Sequence, residues 1–433
     1  MLRTGRLCAW IFIGMFILLI PSIRFIKFAD ELAVLLLLSV ASLDCLINRR
    51  WDKYRSLWIA IGIMGFYLVY SLVFCHYNVT SAILLDSLTE LKPFIPFFIF
   101  LSVGLVFTKL EKLLLKSIAV LNCTVCAVIF IFFRESLDTV MQHVSYVGLT
   151  AFVSGLVFIL CSIENDGRVS RTAILGGILL MSVGLLGTRA KFFGSFVVAI
   201  YFLLFYRPGL SKQSLWKIWA TVALVVLGVA GVSWYKFDYY FISGNSGRLT
   251  PDVIESFARP VMYLTGLMII LSHIPFGSGL GSFASYASGE YHYSTIYYDY
   301  GINNIDGLSP GNTGAICDAY YPALAQFGIV GIGLFVYFWI FIGRRLKTLI
   351  KTDPERNRIY YSIGWTAIIF LLIESVASTT FVQGGGMCAM MILGAICSKC
   401  YSTSVNKIAS SSNTTNNNFS FINTPSTWHL PTT

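Results

Sequence analysis

The chain has 433 residues, 56% of them apolar and 12% charged, with a formal net charge of +10. That composition excludes an ordinary soluble domain, because apolar runs of roughly the 20 residues that cross a bilayer recur along almost the whole sequence. The positive balance does not point to nucleic acid: most of the excess lies in short loops between apolar runs, the distribution found in cytoplasmic loops of membrane proteins.

Arg3 and Arg6 precede the first apolar stretch, and no small-x-small cleavage signal occurs before Arg24, so the N-terminus reads as a retained helix rather than a leader. Hydropathy predicts an all-α polytopic membrane protein with about twelve transmembrane helices, at 7–23, 32–48, 57–75, 93–108, 117–133, 147–163, 172–187, 192–206, 216–234, 323–343, 360–378 and 385–399. Counted from a cytoplasmic N-terminus, the inside loops hold Arg49, Arg50, Lys53 and Arg55; Lys109, Lys112 and Lys116; Arg168 and Arg171; Arg207, Lys212 and Lys217; and Arg344, Arg345 and Lys347. Both termini fall in the cytoplasm. The alternation of an outer-membrane barrel is absent.

The chain divides into helices one to nine (1–234), an external loop with active-site elements (235–322), helices ten to twelve (323–400) and a disordered cytoplasmic tail (401–433) rich in Ser, Thr and Asn. Residues 77–92 predict an amphipathic helix at the outer interface, leading to Pro93. Within the external loop, Val261 to Leu271 is apolar but too short to span, and reads as an interfacial helix. The internal repeats that mark many transporters are not evident.

Of the ten cysteines, Cys8, Cys45, Cys75, Cys123, Cys126, Cys161, Cys388 and Cys397 lie inside apolar runs and read as small packing residues. Cys123 and Cys126 have ligand-like spacing without a second pair, so no metal site is expected. Cys317 falls on the outer side, and no disulfide framework is implied.

Short external loops usually avoid cations. Gly187-Thr188-Arg189-Ala190-Lys191 is a tight outer turn that carries two. A cation at membrane depth costs roughly 2.5–3.5 kcal/mol or more, so Arg189 and Lys191 point to an anionic ligand. Lys92, Arg248 and Arg259 are further outer cations. Guanidinium groups grip phosphate oxygens in pairs and stay charged in a partly dry site, which suits a diphosphate. The alternative, snorkelling to headgroups, fits Arg248 best.

The stretch His273-Ile274-Pro275-Phe276-Gly277-Ser278-Gly279-Leu280-Gly281 has neither P-loop nor dinucleotide spacing, and reads as a tight loop letting backbone approach another element or a ligand. Tyr286, Tyr291, Tyr293, Tyr297, Tyr298 and Tyr300 follow, and suit sugar rings and the membrane interface equally. Asp318, in Cys317-Asp318-Ala319-Tyr320-Tyr321-Pro322, is placed to act as a general base or as a helix N-cap. Glu374 is a second acid at membrane depth. Asp44 reads as turned toward Arg49. His273 and His292 are external, each a base or an ordinary surface residue.

In this order the pieces resemble the superfamily of O-antigen ligases and O-antigen polymerases, bacterial inner-membrane glycosyltransferases. Leu185-Leu186-Gly187-Thr188-Arg189-Ala190 looks like the family's Ser/Thr-Arg motif at a span end. Arg259 followed by the Pro275–Gly281 turn looks like its external-loop motif. Asp318-Ala319-Tyr320-Tyr321, then Gln326-Phe327-Gly328-Ile329-Val330-Gly331, looks like the segment re-entering the membrane. The ligases show His-Asn where this chain has Cys317-Asp318, and the acid before an aromatic pair is closer to the polymerase and capsule-polymerase branch. The resemblance covers the second half of the chain, with span pattern and the Lys92-Pro93 region in the first.

The resemblance implies a metal-independent, cofactor-free inverting glycosyltransferase. Its donor would be an undecaprenyl-diphosphate-linked oligosaccharide in the outer leaflet of the inner membrane. The acceptor would be a lipid-linked repeat for a polymerase, or lipid A-core or a protein for a ligase, with a chain-length regulator protein and membrane lipids as further partners. Arg189, Lys191, Arg259 and Lys92 would hold the diphosphate. Asp318 would activate the acceptor, with Arg189 and Arg259 stabilising the leaving charge. Tyr320, Tyr321, Tyr297, Tyr298, His273 and Glu374 would contact the glycan or acceptor. A flippase of lipid-linked sugars is the competing expectation from another class.

Overall fold

The computed structural model describes residues 4–26, 28–136, 141, 143–187, 190–206 and 258–399. The predicted span 216–234, the external loop before residue 258, the tail, Arg189 and Arg248 lie outside the described residues. Among those described, the fold is helical, with one isolated bridge between Ser309 and Asn312 and no strand. The principal helices are α1 (Thr4–Ile17), α2 (Ala29–Asn48), α3 (Arg55–Phe74), α4 (Thr80–Leu91), α5 (Phe94–Val103), α6 (Lys109–Phe132), α7 (Ser145–Cys161), α8 (Arg171–Ser182), α9 (Ala190–Ile200), α10 (Ala258–Ser272), α11 (Gly328–Thr352), α12 (Pro354–Glu374) and α13 (Gly384–Lys399).

Three helical stretches among the described residues are long and apolar enough to cross a membrane: Trp51–Phe74, Lys109–Phe132 and Tyr321–Thr352. Among the described residues, α2 and α12 also have spanning length, at 20 and 21 residues, and most of the other predicted spans are shorter as helices. The run 93–108 illustrates why: its helix stops at Val103, where Gly104 takes φ 72°, although Leu105, Val106 and Phe107 continue the apolar run. Hydropathy counts apolar residues whether or not they are helical.

Local chemistry sets the helix starts. Thr108 and Glu111 form a reciprocal capping box at α6, and Arg6 reaches the same carboxylate at 2.8 Å, which ties α1 to α6. Asp353 accepts from Arg356 N at 3.1 Å ahead of Pro354, a favourable first helical residue for α12. Asp44 does not turn toward Arg49: its carboxylate accepts from Lys53 at 3.1 Å and from Tyr54 Oη at 2.8 Å.

Helix α4 is amphipathic as expected, with an inverted sense. Leu84 and Leu88 are exposed, Leu88 by 68%, whereas Asp86, Ser87 and Glu90 are buried. Exposed leucines also line α2 (Leu35, Leu43, Leu46) and α10 (Leu264, Leu267, Leu271). Such a surface suits lipid, where apolar side chains face out and ionisable ones face the protein.

Residues 258–327 have their own apolar core around Val261, Ile269, Phe283, Ile296, Leu308 and Ile316. Asn78 straps this cap to the end of α3: its Nδ2 reaches Gly281 O at 2.6 Å, His292 O at 3.0 Å and Ala287 O at 3.2 Å. The glycine-rich loop approaches other backbone, one of the two alternatives its sequence leaves open. Gly277 (φ 82°) lies against Ala325 O and Gly328 N, and the N–H groups of Gly279, Leu280, Gly281 and Ser282 donate to Gln326 O, Ser71 Oγ, Asp86 Oδ2 and Gln326 Oε1. With those donors engaged, the loop is a structural joint between α3, α4 and the start of α11.

Candidate functional site

The turn after α12, residues 374–377, collects side chains from three other parts of the chain. Tyr263 on α10 donates to Val376 O at 2.7 Å. Lys191 on α9 donates to Ala377 O at 2.9 Å and pairs with Glu374 at 2.7 Å, both side chains largely buried. Tyr320 N donates to Ser375 O at 3.0 Å, and Tyr321 Oη to Leu372 O at 2.6 Å. One helical turn before Tyr263, Arg259 Nη2 meets Asp318 Oδ2 at 2.6 Å, with the side chains 42% and 50% exposed.

Of the residues singled out in the sequence, the fold therefore brings Lys191, Glu374, Arg259, Asp318, Tyr320 and Tyr321 to one region. Arg189, two residues before Lys191, is outside the described residues. Each cation has a carboxylate partner, so the arrangement is two ion pairs, one buried and one open. Arg259 keeps Nε buried without a hydrogen-bond partner. An anion arriving at the open pair would meet a half-exposed guanidinium and a carboxylate it must displace.

Other candidates stand elsewhere. Lys92 is buried and bridges Asp30 at 2.6 Å and Glu31 at 2.9 Å, so its charge is matched within the protein. Tyr297 is fully buried; its hydroxyl accepts from Ala284 N at 3.0 Å and meets Ser288 Oγ at 2.9 Å, which pins the loop from inside and leaves no face for a sugar. Tyr298 is half exposed and edge-on to Tyr293. His273 Nε2 meets Tyr77 Oη at 2.7 Å and its Nδ1 meets Ser272 Oγ at 3.0 Å, a hydrogen-bonded chain continued by Tyr300. Cys317, beside Asp318, is partly buried, and burial raises its thiol pKa. Among the described residues no group of three or more His, Cys, Asp or Glu is placed to hold a metal ion.

Sequence reasoning missed an acidic cluster on the far side of the same segment. Tyr320 Oη donates to Glu90 Oε2 at 2.9 Å, and Asp86, one turn earlier on α4, accepts from Gly281 N. Burial raises the Glu90 carboxyl from about 4.5 to about 8, with repulsion from Asp86 adding to it; burial raises Asp86 from 3.8 to about 6. Burial and the neighbouring Glu90 likewise hold the Tyr320 phenol well above its usual value. The available signal was the i, i+4 spacing of Asp86 and Glu90 opposite Leu84 and Leu88. It defines a polar face, and spacing alone does not say that this face packs inward.

No family model, curated protein or solved structure matches the chain.

Proposed function

We propose that the chain is a polysaccharide polymerase of the O-antigen and capsule type, acting at the outer face of a bacterial inner membrane on undecaprenyl-diphosphate-linked glycans. The observation that carries the reading is the pairing of Arg259 with Asp318, both half exposed, beside the buried Lys191–Glu374 pair. Cations for a diphosphate and an acid for an acceptor hydroxyl stand within one hydrogen bond of each other. The full topology in this proposal is the twelve-span arrangement with both termini cytoplasmic; the three long apolar helices support its coarse feature, a membrane location.

The acceptor hydroxyl oxygen attacks the anomeric carbon of the donor. The bond from that carbon to the diphosphate breaks, its electron pair leaves with the diphosphate, and the hydroxyl proton passes to Asp318. As the donor diphosphate engages Arg259, the Arg259–Asp318 bond opens and frees the carboxylate. Arg259 and Arg189 stabilise the charge growing on the leaving group, and Lys191 contributes from the adjoining turn. Binding of donor thus arms the base.

Deleting the gene and sizing the cell's glycans tests this. Single repeats on the acceptor are expected. Full-length polymer stranded on the carrier lipid indicates a ligase instead, and loss of every outer-leaflet intermediate indicates a flippase.

A further inference from the structure

An elongated cavity of about 450 Å³ lies between α3, the α4–α5 junction and α11. Its walls include Ile63 and Met64 from α3, Phe94 from α5, and Leu334, Phe335 and Phe338 from α11. Ser56 and Phe341 line one end; Tyr67, Phe327 and Gly331 line the other, where Tyr67 Oη donates to Phe327 O at 2.9 Å. From Ser56 to Tyr67 is about 16 Å of helix at 1.5 Å per residue, so the cavity has the length and chemistry of a slot for hydrocarbon chain.

Its wall carries one polar pair, Glu90 and Tyr320, joined to each other. Asp86 lies one turn away, with its Oδ1 buried and without a hydrogen-bond partner. Lys92, the nearest cation along the chain, is held by Asp30 and Glu31. A buried carboxyl with an acid neighbour and no cation of its own keeps its proton, and then both donates and accepts. The raised Glu90 pKa agrees. A phosphate brought against Glu90 would find no cation among the described lining residues, whereas a hydroxyl would find a donor and an acceptor in one group.

We propose that this cavity binds an uncharged lipid of the diacylglycerol class, its hydrocarbon chain lying along α3 and α11 and its free hydroxyl hydrogen-bonded to Glu90. The site goes beyond the transferase reading and does not depend on it. Neither Arg259 nor Asp318 lines it, so it is separate from the place proposed for the diphosphate.

The test uses the purified full chain in phosphatidylcholine vesicles containing a diacylglycerol with a diazirine in one acyl chain. After irradiation, labelling is mapped to peptides. Saturable labelling is expected near Met64 or Leu334, lowered about tenfold by excess unlabelled diacylglycerol and unchanged by the same amount of phosphatidic acid with identical chains. Ala60→Trp, which fills the cavity, is expected to lower labelling about fivefold in protein that still elutes as wild type. Glu90→Gln should retain labelling, and Glu90→Leu should lose about threefold or more. Equal competition by phosphatidic acid, or labelling that never saturates, overturns the proposal. Both readings come from wild-type protein and so stand even where a variant misfolds.

Discussion

Asp318 and Tyr320 are two residues apart and occupy opposite electrostatic worlds. Asp318 is half exposed and bonded to Arg259. Tyr320 is buried and bonded to Glu90, which has Asp86 rather than a cation beside it. One residue holds a half-exposed ion pair, the other a buried hydrogen bond to an acid. The difference teaches how one short stretch entering a helix serves two chemistries: the chain turns between the two residues, with Tyr320 already in helical backbone conformation, and each side chain takes its character from the helix packed against it.

Removing a partner from the buried pair should break that comparison most severely. Lys191→Ala leaves Glu374 charged and buried, and is expected to cost about 3–5 kcal/mol, read as a lowered unfolding midpoint in detergent. Lys191→Met combined with Glu374→Leu should recover much of that loss. A midpoint for Lys191→Ala equal to wild type removes this pair from the framework of the site.

The open pair should behave in the reverse manner. Arg259→Ala is expected to reduce polymer about a hundredfold or more with unchanged protein in the membrane, since the lost interaction acts on the leaving charge. Polymer at wild-type level in that variant takes Arg259 out of the mechanism.

The proton-holding face predicts a pH dependence. The folded-state pKa of Glu90, about 8, lies above its ordinary value of about 4.5, so the folded protein retains a proton that the unfolded chain releases. That contribution is fully present below the ordinary value and is lost as pH rises through about 8. Asp86, Tyr320 and Lys92 are the other ionisable groups contributing to its environment, and Asp86 shifts in the same direction over a lower range. The unfolding midpoint of wild type should therefore fall as pH rises from about 4.5 to about 8 and level off above that, and Glu90→Gln should flatten the fall. A variant with the wild-type slope would place the titration elsewhere.

Two smaller effects sharpen the picture. Gly277→Ala puts a Cβ at φ 82° against Ala325 O and Gly328 N, and should cost at least about 1–2 kcal/mol through the joint that positions both faces. Asp318→Asn should change stability by less than about 1 kcal/mol, because exposed ion pairs contribute little, while lowering polymer formation.

Much of the site's membership is legible in one dimension. Lys191, Arg259, Asp318 and Glu374 stand out because ionisable residues are rare in such an apolar chain and their context marks them. Pairing is not legible, because it depends on which helix ends become neighbours. Lys92 has the same sequence context as a free outer cation, yet the turn into α2 sets Asp30 and Glu31 against it. Tyr297 and Tyr298 are adjacent and equivalent in composition; the direction of the chain at that point buries one and exposes the other.

By itself the sequence determined that the protein is helical and apolar and that residues 77–92 contain an amphipathic helix. Tertiary structure alone decided the sense of that helix, the partner of each charge and the two-faced segment between Asp318 and Phe327. The physical reason is that periodicity records a polar face without recording the solvent it meets. Asp86 and Glu90 turn inward while Leu84 and Leu88 face out, and only the packed fold specifies which side is which.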